Sequence, residues 1–176
     1  MLILNREPPA YRGVYGEPRV FKLVEIIYYI DDYGQRWAIP SFFLHDKRST
    51  PRPFWSIAPP SIGWQDVAWT VHDFEYRCYE LLGLSLKDVD GARFVSVMLA
   101  VNKSRFRAGW HSAFVRIKSA VRPSEGNGLH RKSKYNGLVL DSESGELVTL
   151  KEWVTTYYSS DGSGLNDKLT FPVEVL

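Results

Sequence analysis

With 176 residues, of which 44% are hydrophobic and 14% aromatic, the chain can bury one sizeable core and is not a disordered protein. The single cysteine, Cys78, excludes an intrachain disulfide and a cysteine-rich zinc site, and reads as a small buried hydrophobe. The net charge of +2 hides an asymmetry: residues 102–136 carry nine Lys/Arg against Glu125, whereas residues 137–176 carry seven acids against two lysines.

Residues 1–19 hold three prolines and two glycines without periodicity and are expected to form an extended arm. No secretory pattern opens the chain, so the expectation is a protein made in a reducing cytoplasm. The run "VFKLVEIIYYI" is broken by Lys22 and Glu25 and is too short to span a membrane. Its β-branched and aromatic residues, the turn residues "DDYGQ" and the following "RWAIPSFFL" predict a β-hairpin. Residues 45–63 are punctuated by proline and carry Phe54 and Trp55, which predicts a long structured loop rather than helix or central strand.

Three helices should follow. In the first, Val67, Val71, Phe74, Cys78 and Leu81 or Leu82 recur at helical spacing, and Gly83 stops it. Ser85 caps the second, with Asp88 answering it, and Phe94, Val97, Met98 and Val101 mark its apolar face. The third spans about Ser104 to Val121. The short link after the first helix makes the first two an antiparallel pair. "GLVLDSESGELVTL" predicts a hairpin, and "KLTFPVEVL" a last strand. The predicted fold is α+β: a single domain with an N-terminal β-hairpin, a central three-helix unit and C-terminal strands. Its parts are the arm 1–19, a core 20–136 and a C-terminal β extension 137–176.

In the first helix His72 and Tyr76 share a face, with Asp73 turned about 100° away. His72 precedes Gly83 by eleven residues and Asp90 follows it by seven. At about 1.5 Å rise per residue the two are offset by roughly 6 Å along the pair, which side chains can bridge. Asp90 lies on the stripe Asp90, Phe94, Val97, Val101, and a carboxylate there needs a partner. His72 is the local candidate. An imidazole oriented by a carboxylate suits general-base catalysis. The same residues, with Asp46 folded over them, also suit a divalent ion through Asp73 and Asp46. A hydrogen-bonded structural histidine uses the same residues. No cofactor is fixed by this pattern, and a divalent cation stays open.

Three ordered motifs carry a resemblance. "IPSFFLHDKRSTPRPFW" contributes Asp46, Ser49, Pro51, Arg52 and Trp55, "VAWTVHDFEY" contributes His72, Asp73 and Tyr76, and "SLKDVDGARF" ends near Asp90. Over about residues 37–122 the chain resembles the phage and prophage family catalogued as domain of unknown function thirteen-fifty-three, with departures at Thr50 and Pro53. The resemblance implies a bacteriophage-encoded protein and marks Ser49, Arg52 and Trp55 as binding residues. The helix pair is also similar to the catalytic helices of phospholipase A2. That likeness implies His72 as base, Asp90 as its orienting acid, Tyr76 beside them and Asp73 as a calcium ligand. Neither disulfides nor a glycine-rich calcium loop accompany it here.

The expected function is a bacteriophage structural or accessory protein, virion- or tail-associated, made in the bacterial host cytoplasm. Its partners would be other virion proteins or further copies of itself, with an anionic partner for the basic segment 102–134 and no membrane span. The alternative is a phospholipase-like or other envelope-directed hydrolase using His72. Nucleic-acid binding through the basic segment ranks behind both, since no recognised motif accompanies the charges.

Overall fold

The computed structural model describes residues 1–15, 17–46, 64–102, 109, 112, 113, 116 and 137–172. Six strands come first: β1 (Leu2–Ile3), β2 (Tyr11–Val14), β3 (Glu17–Leu23), β4 (Ile27–Ile30), β5 (Arg36–Ile39) and β6 (Leu44–Asp46). Helix α1 (Trp64–Cys78) leads to α2 (Leu86–Asp88), a π-helical turn (Val89–Arg93) and α3 (Phe94–Asn102). Strands β7 (Leu138–Leu140) and β8 (Leu147–Thr149) run straight into α4 (Leu150–Tyr157). The fold is α+β, as the order of patterns predicts.

The strands form three antiparallel sheets, ordered β1-β4-β5, β2-β3-β6 and β7-β8. The expected hairpin is β4–β5 across "DDYGQ", where Asp31 Oδ1 accepts the backbone N–H groups of Tyr33 and Gln35. Alternation sets its inner face: Ile27 and Tyr29 are buried, and Tyr28 and Ile30 half-buried. The run before it is divided, because β3 pairs with β2 and β6 in the other sheet.

The N-terminal segment corrects the expectation of an arm. β1 pairs with β4 and β2 with β3, and Leu4 is buried. Prolines 8 and 9 fall between these strands, where no ladder N–H is needed.

Val67, Val71, Phe74 and Cys78 of α1 bury against Phe94, Val97 and Met98 of α3 and against Leu23, Ile39 and Phe43 of the strand layer. Gly83 closes the turn after α1 at φ +67°, and a Cβ there would sit 2.7 Å from the Gly162 nitrogen. Only glycine meets both demands. Ser85 caps α2 by accepting from the Asp88 N–H; Asp88 answers through the Ser85 hydroxyl at 2.6 Å rather than through its backbone N–H.

The C-terminal part is more than a β extension. After the expected β7–β8 hairpin the chain turns helical, and Leu150, Trp153, Val154 and Tyr157 enter the same core. Tyr158 ties this part to β5: its hydroxyl donates to the Ala38 carbonyl and accepts from the Ala38 N–H. The last strand read in "KLTFPVEVL" is not formed at residues 168–172, and residues 173–176 lie outside the described residues. So do residues 47–63 of the proline loop and most of the third helix. Gly109, Ser112, Ala113 and Arg116 of that helix have helical backbone.

Candidate functional site

Two buried acid–base links join α1 to the π-helical turn. His72 and Glu75 lie three residues apart on α1 and share one face, and Asp90 and Arg93 of the turn meet them there. Gly91, at φ −110° and ψ −105°, leaves helical geometry between them.

The first link joins His72 Nε2 to Asp90 Oδ1 at 2.8 Å, with the residues 8% and 4% exposed. On the other side of the ring, Nδ1 lies 3.7 Å from Asp73 Oδ1. That is an ion-pair contact too long for a hydrogen bond, and Nδ1 is buried with no hydrogen-bond partner. Aromatic rings wall the site: Phe94 has its centroid 4.9 Å from the imidazole, Tyr76 5.8 Å and Trp69 6.4 Å. Burial alone would pull the His72 pKa down, but the carboxylates of Asp73 and Asp90 outweigh it and raise it to about 9. The imidazole is therefore protonated at neutral pH. Tyr76 is half-buried, and burial followed by the Asp90 charge raises its pKa.

The second link is larger. Arg93 donates from Nε and a terminal nitrogen to Glu75 Oε1 at 3.0 and 2.8 Å, and from the other terminal nitrogen to Asp31 Oδ2 at 3.0 Å. Tyr29 Oη donates to the same Glu75 oxygen, and Trp37 Nε1 to Asp31 Oδ2, each at 3.0 Å. The guanidinium lies 4.3 Å from the Trp37 ring centroid, a cation–π contact in the core. A cleft of about 300 Å³ opens beside Asp31 and Arg93, bordered by Asp32, Asp88 and Ser96.

The structure thus brings together His72, Asp73, Asp90 and Tyr76. Asp46 ends β6, but its side chain lies outside the described residues, as do Ser49, Arg52 and Trp55. It is His45 that meets α1, with Nδ1 3.4 Å from Thr70 Oγ1, whose hydroxyl donates to the Asp66 carbonyl. Among the described residues no three ligating side chains converge on a metal position. Calcium needs six to eight oxygens, so the described residues do not make the calcium site that the phospholipase likeness implies.

Sequence reasoning missed Glu75, Arg93 and Asp31. The signal was present at Glu75, which continues the stripe Ala68, Val71, His72 into the buried face and so demands a cation. Asp31 was read only as a turn residue, although one carboxylate both caps the turn and binds Arg93.

Among the described residues no helix is long and apolar enough to cross a membrane. No curated protein and no solved structure matches the chain. The family described as "Protein of unknown function (DUF1353)" matches residues 21–115, a span that contains both buried links. Because that match covers more than half of the 176 residues, the chain belongs to this family.

Proposed function

We propose that the protein is a bacteriophage-encoded structural or accessory protein, associated with the virion or its tail, in which the His72 cluster is a structural clip. The observation that carries the clip is the buried seat of the His72 ring between two carboxylates, Asp90 at 2.8 Å and Asp73 at 3.7 Å, which favours its charged form. An imidazolium held between Asp73 and Asp90 has no lone pair with which to take a proton from water at neutral pH. Three residues along α1, the Glu75–Arg93–Asp31 link is built on the same plan and is likewise buried. Phage origin rests on the family resemblance. Contact with other virion proteins or with further copies of itself is supported by Leu138 and Leu147 of the β7–β8 hairpin, 54% and 55% exposed.

The test is His72→Gln, which keeps approximate size and hydrogen bonding but removes the titratable group. A clip predicts a destabilised variant of a parent with no hydrolytic activity on lipid or cell-wall substrates. A variant of native stability that loses such an activity by on the order of 10²–10⁴ would overturn it.

The hydrolase reading keeps one observation in its favour: Nδ1 of His72 is buried without a hydrogen bond, while Nε2 is oriented by Asp90. A base in that position works only when neutral. Any hydrolysis by His72 would therefore rise through about pH 9, the pKa at which its imidazolium deprotonates.

A further inference from the structure

The cleft beside Arg93 has a buried floor and an acidic rim. Separate stretches of chain wall it: Met1, the β4–β5 turn, the stretch from Leu84 to Ser96, and Gly162. The floor is Asp31 and Arg93, 6% and 8% exposed. The Asp31 carboxylate is spent on Arg93, Trp37 and the turn. The rim carries Asp32 and Asp88, both exposed, and Arg93 is the single Lys or Arg among the lining residues. That guanidinium already faces two acids, Glu75 and Asp31, so it cannot offset the rim.

An acidic rim by itself is an ordinary solvated face. Here a cation already sits on it: the Met1 α-ammonium pairs with Asp32 Oδ1, while Asp32 Oδ2 accepts the Ser96 hydroxyl at 2.5 Å. The Met1 side chain packs against the core. An ammonium on an aliphatic stem is thus the kind of group the cleft holds from its own chain. Asp88 is a second carboxylate of the same kind. One of its oxygens accepts the Ser85 hydroxyl, and among the described residues it makes no ion pair. Leu84 and Ala92 give an apolar wall for a methylene stem, and Tyr33, 85% exposed, borders the cleft with a ring face suited to a cation. A bare divalent ion takes about six or more oxygens, whereas no three ligating side chains converge among the described residues. The lining suits a cation that brings a hydrocarbon body with it.

We propose that this cleft binds a primary alkylammonium group, with Asp88 as the pairing carboxylate and Leu84 and Ala92 along the stem. This goes beyond the clip reading and holds whichever role His72 has. A free aliphatic amine and a lysine side chain of a partner protein carry the same group, and the experiment separates them.

The test uses the full chain and putrescine at constant ionic strength, with sodium and magnesium chloride as references. Putrescine should raise the unfolding temperature saturably, and neither salt should do so. Asp88→Asn keeps the side-chain size and the backbone N–H that Ser85 Oγ accepts. It should fold with a near-native melting temperature and bind putrescine about tenfold more weakly, as expected for loss of a hydrogen bond to a charged group. Ala92→Lys, at an exposed position of the wall, sets a competing ammonium in the cleft and should abolish the response. A wild type that responds no more to putrescine than to sodium overturns the proposal. So does an equal rise with magnesium, because charge alone then accounts for the effect. A folded Asp88→Asn or Ala92→Lys protein that responds like the wild type also overturns it, and should one variant not fold the other decides. A tetralysine peptide with blocked ends separates the sources. Peptide that binds at least as tightly as putrescine, and is displaced by it, assigns a partner's lysine; weaker or absent peptide binding assigns a free amine.

Discussion

The two links between α1 and the π-helical turn have the same backbone plan and opposite degrees of completion. Arg93 uses all three of its nitrogens on Glu75 and Asp31, and those acids are further held by Tyr29 and Trp37 of the β4–β5 hairpin. The His72 link satisfies one ring nitrogen and leaves the other 3.7 Å from Asp73. The first joins helix, turn and sheet; the second joins helix and turn and lies beside half-buried Tyr76 and Asp73. A shared register can therefore carry a closed structural node and, three residues away, a node with donor capacity left over.

Removing the cation of the closed node should have the largest effect. Arg93→Met keeps most of the volume but strands Glu75 and Asp31, 1% and 6% exposed, without their partner. Breaking a buried ion pair in this way costs about 3–5 kcal/mol, measurable by denaturant unfolding. Adding Glu75→Gln should recover part of the loss, because it removes one of the stranded charges. A single variant that unfolds like the wild type would end the distinction between the nodes.

The His72 link should respond to pH where the Arg93 link does not. The folded pKa of about 9 lies above the ordinary 6.5, so the folded state binds the proton more tightly than the unfolded chain. The stabilisation is complete below about pH 6.5 and is lost as the pH rises through 9. At about 1.4 kcal/mol per pKa unit the whole effect is at most about 3.5 kcal/mol. The stability difference between wild type and His72→Gln should accordingly be largest near pH 6 and fall to its pH-independent remainder near pH 10. A difference that stays constant over that window would mean that His72 carries no charge in the fold. At neutral pH the substitution alone should cost about 1–3 kcal/mol, the range for a buried group left unsatisfied.

Much of this was legible in the sequence, and the limits have physical reasons. The stripe Val67, Val71, Phe74, Cys78 gives α1 and its buried face, because a 3.6-residue period admits one reading. Asp90 against His72 followed from a carboxylate on an apolar stripe. The π-helical turn could not be foreseen, since Gly91 within a helical pattern ordinarily signals only weakened propensity. The pairing of residues 1–14 was hidden because strands of two and four residues are too short for alternation to show. The extra element α4 did have a signal. "TLKE" places Thr149 three residues before Glu152 and ahead of Trp153 and Val154, which is the start pattern of a helix. It was passed over because the preceding strand runs into it without a loop.

That helix start supplies the smallest effect and the reference for the others. Thr149 Oγ1 accepts from the Glu152 N–H at 3.2 Å, and Glu152 Oε2 accepts the Thr149 N–H at 2.8 Å. Both orphan donors are thus met at a place remote in sequence from either buried link. Thr149→Ala removes the hydroxyl and should cost about 0.5–2 kcal/mol, the range for loss of an N-cap. The cost should not change between pH 6.5 and 9, because the Glu152 carboxyl, held low by the Thr149 backbone and hydroxyl, stays ionised throughout. Measured beside His72→Gln, it separates a general loss of stability from a titrating one. Were the Thr149→Ala difference to shrink with rising pH in the same way, the pH response would belong to the whole fold, and the contrast between the two links would lose its main evidence.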